Sequence, residues 1–197
     1  MLLNYGFIDP AQIENAAKTL ILPLDDTLLP RNYRKKDDPL FEAKLQVFGS
    51  APTLELRIDE KSIPRWTAPF LYLLCVNERD GVSFKAVEEA QGHKAWRMLW
   101  QGRHDITSMA GMFEVFLNAR DEGLRGDVQY RAVGVLVHVV EAQLGRMKDA
   151  GEEVLEGAAG GGIREFVAQV VGQLGGIEKE VLEMSLVGLR RERDRLD

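Results

Sequence analysis

"VQYRAVGVLVHVVEAQLGRM", residues 128 to 147, decides the fold class. Val128, Ala132, Val135, Leu136, Val139 and Met147 recur at helical spacing, and charged residues stand between them. No strand alternation accounts for so long a stripe, so the spacing predicts a long helix with one buried face. "GAAGGG", residues 157 to 162, then separates it from a second long segment striped by Ile163, Phe166, Val170, Leu174, Ile177, Val181 and Met184. Gly172, Gly175, Gly176 and Gly188 each cost that second helix about 1 kcal/mol relative to alanine, which leaves its continuity open. Its polar end, "LRRERDRLD", is expected to stay solvated.

Upstream, the helical period continues. "MAGMFEVFLNAR" and "FKAVEEAQ" fit helices, and the second half of the chain reads as helical throughout. From Ser62 a helix is expected with Pro64 in its first turn, Trp66, Phe70, Leu73 and Leu74 on one face, and Gly81 as its stop. "PLFEAKLQVFG" carries Leu40, Phe41, Leu45 and Phe48 near helical spacing, and "LLPRNYRKKDDP" before it reads as a solvated connector. Two short stretches differ. "KTLILPL" suits a strand, and "TLELRID" alternates Leu54, Leu56 and Ile58 with Glu55 and Arg57, so the two are each other's plausible partners. The expectation is a mainly α chain, a multi-helix bundle preceded by a small mixed α/β segment.

The 197 residues, 45% hydrophobic, can bury a real core. A formal charge of -6 argues against nucleic acid, whose phosphates need a positive surface. The longest apolar runs fall short of the roughly 20 residues that span a bilayer, so no membrane partner is expected. The lone Cys75 sits in "FLYLLCV" as a small buried hydrophobe, which fits an intracellular, cytoplasmic or nuclear protein. His93, His104 and His138 share no ligand spacing with one another or with Cys75, so no metal site is expected. The glycines of "GAAGGG" lack the lysine and hydroxyl of a phosphate loop. Glu88 with Glu89, and Glu152 with Glu153, point about 100° apart if helical, which makes surface charges of them. By composition and spacing alone the chain reads as an interaction module.

The opening adds a resemblance. "LLNYGFIDP", residues 2 to 10, is an apolar stretch closing on Tyr5, Gly6 and Phe7, and it is followed in order by "IDPAQIEN", "KTLILPL", "DDPLFEAKL", "LELRID" and "SIPRWTAPFLYLLCV". This series resembles the end of the SET domain and the following substrate-binding domain in SET-domain protein lysine methyltransferases of the Rubisco large-subunit methyltransferase group. The resemblance implies that residues 1–24 are the terminal fragment of a SET domain and residues 25–197 a helical substrate-binding domain. It also implies that Tyr5 lines the active site, that Tyr5 and Phe7 lie beside S-adenosylmethionine in the intact enzyme, and that the partner is a protein carrying the target lysine. The group's cofactor loop, its Asn-His pair and an earlier catalytic tyrosine lie upstream of this motif. Met1 falls inside the closing helix, so the chain reads as a truncated gene model, an alternative start or a domain fragment. No cofactor is expected on this chain alone. The alternative function is a non-catalytic helical protein-protein interaction scaffold.

Overall fold

The computed structural model describes residues 19–23, 26–48, 53–57, 68–88, 94–102, 104–106, 122–157 and 162–197. It is mainly helical, with four α-helices among the described residues: α1 (Phe41–Phe48), α2 (Ala68–Cys75), α3 (Glu122–Gly157) and α4 (Gly162–Leu196). Strands β1 (Thr19–Pro23) and β2 (Thr53–Arg57) form a two-stranded ribbon, and β3 (Val82–Glu88), β4 (Lys94–Trp100) and β5 (His104–Ile106) an antiparallel three-stranded sheet.

The long hairpin organises the rest. α3 packs along α4, α2 packs on α3, and α1 packs on α2 and on β4, while the β1–β2 ribbon lies on α4. Val128, Ala132, Val135, Leu136 and Val139 are buried as their spacing requires, and Met147 is partly buried. Val133, Val137 and Val140 are buried as well. Between residues 132 and 140 α3 therefore presents apolar side chains to neighbours on more than one side, which is how a helix lacking a polar face is accommodated. α4 runs unbroken through its glycines, and the helical trace continues through the arginine-rich end to Leu196.

The ribbon has the expected partners in antiparallel register, Leu20 opposite Leu56 and Leu22 opposite Leu54. Leu22 and Leu56 face the core, and Ile21, one residue out of phase, is 63% exposed. A two-stranded ribbon is marginal by itself, and α4 supplies the apolar surface it needs.

Several expectations are corrected. The described part of "FKAVEEAQ" is not helical: residues 82–88 are strand β3, paired with β4 as Val82 with Trp100, Phe84 with Met98 and Ala86 with Trp96. Val82, Met98 and Trp100 are buried, so cross-strand packing outweighs the helical placement of the charges. The second half is accordingly not helical throughout, and the carboxylate of Glu88 is exposed on a strand. The helix expected to stop at Gly81 ends at Cys75. Asn77 then caps a separate 3-10 turn, Glu78–Asp80, accepting from the Arg79 N–H at 2.9 Å while its own N–H donates to Asp80 Oδ2 at 2.9 Å. Gly81 closes that turn at φ 76°, where a side chain would be strained.

The connector "LLPRNYRKKDDP" is only partly solvated, because Leu28, Leu29 and Asp38 are buried. On α4, Met184 is 53% exposed, and the buried positions among its described side chains are Val181, Leu182, Ser185, Leu186 and Leu189. The stripe extrapolated from Ile163 has rotated away from Met184. The expected helix at "MAGMFEVFLNAR", Trp66 and the side chains of Ile163, Phe166, Val170 and Leu174 lie outside the described residues.

Ser185 Oγ is buried with no hydrogen-bond partner among the described residues. An unpaired buried hydroxyl costs its desolvation, so Ser185→Ala is expected to stabilise the protein by about 1 kcal/mol, read as a raised urea midpoint at unchanged m-value.

Candidate functional site

Two groups of polar residues stand out, one buried and one at the surface. The buried group surrounds the C-terminal end of α2. Lys44, on α1, has its Nζ 2.8 Å from Asp38 Oδ2 and donates a second bond to the Leu74 carbonyl at 2.9 Å. Leu74 is in the last turn of α2, where carbonyls lack intrahelical donors and a cation is favoured. Asp38 also accepts the Leu40 N–H at 2.9 Å, just before α1 begins. On the other side, Arg131 from α3 meets Asp80 at 2.6 Å. The two pairs fasten α1 and α3 to the segment that leaves α2.

Between them lies Cys75, buried as its apolar context predicts, with the Tyr33 phenol as its neighbour. Burial pushes the thiol up to about 12, against the smaller opposing effects of Arg131 and Lys44. Burial also pushes the Tyr33 phenol up to about 12. Both stay protonated at neutral pH, so neither is a nucleophile or a base there. The group braces the fold around the end of α2.

The pH dependence follows from these values. The folded chain keeps both protons to about pH 12, while unfolded thiol and phenol ionise near 9.0 and 10.0. The unfolded state binds fewer protons in that window, so stability is complete below about pH 9 and falls as pH rises toward 12. At about pH 10.5 Cys75 alone accounts for a loss of about 2 kcal/mol. Urea unfolding at that pH should therefore show a smaller alkaline loss in Cys75→Ala than in the wild type, and equal losses would contradict the thiol's part.

The surface feature is an open groove of about 490 Å³, lined among the described residues by Glu42, Leu45 and Gln46 of α1 and Trp96 of β4. Packing of α1 on β4 creates it. β5 pairs only with residues 98–100 of β4, and the Trp96 N–H donates to Gln46 Oε1 at 3.2 Å. Trp96 is 39% exposed. Glu42 carries a carboxylate paired with Lys35 at 2.6 Å, both side chains well exposed.

Tyr5 and Phe7 lie outside the described residues, as does His93. His138 is exposed on α3 and His104 starts β5, far apart in sequence and on different elements. Among the described residues no three His, Cys, Asp or Glu side chains gather as a metal site. No helix of the described residues is long and apolar enough to cross a membrane.

Sequence reasoning missed the buried ion pairs and the groove. The signal available for the groove was the alternation of Trp96, Met98 and Trp100, which marks one face of a strand. Comparison with protein-family models, curated proteins and solved structures finds no match to this chain.

Proposed function

We propose that this chain is the substrate-binding C-terminal region of a SET-domain protein-lysine N-methyltransferase of the Rubisco large-subunit methyltransferase type. The intact enzyme transfers a methyl group from S-adenosylmethionine to a lysine of a protein substrate, and this region docks that substrate. The observation that carries the reading is the ordered series from "LLNYGF" through "KTLILPL", "DDPLFEAKL" and "LELRID" to "SIPRWTAPFLYLLCV". The mainly helical fold supports it, as does the pairing of the Leu-Pro strand β1 with the leucine-bearing β2. In this reading residues 1–24 close the SET domain, Tyr5 lines the active site, and the protein works in the cytoplasm or nucleus with neither nucleic acid nor membrane as partner.

In this reading the contacts to S-adenosylmethionine belong to the part of the enzyme upstream of this motif, and none is assigned to the described residues. No step of the transfer is assigned to them. Calorimetric titration of this chain with S-adenosylmethionine is expected to give no binding heat. Micromolar affinity would overturn the assignment of the cofactor contacts to the rest of the enzyme.

A second reading, a non-catalytic interaction scaffold, is favoured by one observation: the sheet β3–β4–β5 occupies a stretch that the resemblance makes helical.

A further inference from the structure

The groove between α1 and β4 has a chemistry that neither reading uses. Its wall combines an exposed indole, Trp96, with the apolar Leu45 and the carboxylate of Glu42. A long side chain with an apolar stem and a cationic head suits all three: the stem lies along Leu45, the head over the indole and against the carboxylate. The charge is complementary, since Glu42 is the charged residue among the described lining and the chain as a whole carries -6. The chain also supplies an example of the expected contact. Lys35 places its ammonium on Glu42 Oε1. That pair is exposed at both ends, so water screens it and exchange for another cation costs little.

We propose that the Trp96–Glu42 groove binds a lysine or arginine side chain of a partner protein, and that Lys35 competes with it for the Glu42 carboxylate. The proposal is independent of methyl transfer, because it concerns docking at a site that both functional readings leave unassigned.

The test is a titration of the whole chain, nitrogen-15 labelled, with N-acetyl-lysine methylamide, its arginine counterpart and its norleucine counterpart. The indole N–H resonance of Trp96, assigned with Trp96→Phe, is followed, and the buried Trp100 serves as internal control. A saturable shift of the Trp96 resonance is expected with the cationic ligands and none with norleucine. The tighter of the two cationic arms identifies the residue recognised, and either order supports the proposal. Glu42→Gln is expected to weaken binding about fivefold or more. Lys35→Ala is expected to strengthen it about two- to fourfold by freeing the carboxylate. Both positions are exposed, so both variants should fold. Three results overturn the proposal: saturation by norleucine with equal affinity, no saturable shift with either cation, or a Lys35→Ala curve that superposes on the wild type.

Discussion

Lys44→Met is expected to destabilise the protein by about 3 to 5 kcal/mol, because it leaves the Asp38 carboxylate buried without its cation. The ammonium of Lys44 holds two acceptors, Asp38 Oδ2 and the Leu74 carbonyl, and both side chains of the pair are buried. The flexible thioether fills the volume of the lysine stem but donates to neither acceptor. Combining it with Asp38→Asn should recover most of the loss. Asparagine removes the buried charge and keeps an oxygen for the Leu40 N–H, so the turn leading into α1 keeps its hydrogen bond. Denaturant unfolding of the two single variants and the double variant measures this as a double-mutant cycle, and a simple sum of the single losses would contradict it. The pair's net worth against an apolar pair of the same shape is expected to be small, since the desolvation of two charges offsets most of their attraction.

Phe70→Ala is expected to cost about 3 to 5 kcal/mol, the range for large aromatic side chains removed from a core. Phe70 is fully buried in the first turn of α2, whose Leu71, Leu73, Leu74 and Cys75 are buried too, as is Val76 just past its end. α2 stands between α1 and α3, so the cavity left by the ring opens between layers that are held on both sides and cannot collapse freely. Phe70→Leu should cost far less, since most of the volume remains. The comparison is made by thermal unfolding, and equal midpoints for the alanine variant and the wild type would place Phe70 outside the working core.

The sequence carried its clearest messages where one periodicity acted alone. The stripe from Val128 to Val139 repeats at helical spacing, and nothing else in α3 competes with it. The alternation in "TLELR" equally marks a strand, and "TLILP" pairs with it in antiparallel register, Leu22 and Leu56 turning to the core. In "FKAVEEAQ" two signals conflict, because strand β3 carries both an alternating apolar face and charges at helical spacing. What settles the conflict is the partner strand, whose Met98 and Trp100 lie opposite Phe84 and Val82. That partner is distant information to a local reading.

Met184 shows another limit. A spacing carried over many residues accumulates phase error, and the face that α4 buries near its end is fixed by what it packs on, α3 and the ribbon. Least legible were the buried charges. Lys44 and Asp38 are six residues apart, and the carbonyl of Leu74, thirty residues after Lys44, is the second acceptor that encloses the lysine there. Of the candidate site, Tyr5 and Phe7 rest on the resemblance, whereas the groove arises from α1 meeting β4 and has no contiguous signature.

If these residues form the substrate-binding region of a lysine methyltransferase, the transcript that encodes them, sequenced through its 5′ end, is expected to carry an open reading frame that continues upstream of Leu2 and encodes a glycine-containing cofactor loop followed by an Asn-His pair. An in-frame stop codon shortly before Met1, with no such coding sequence joined to it in any transcript, would contradict it.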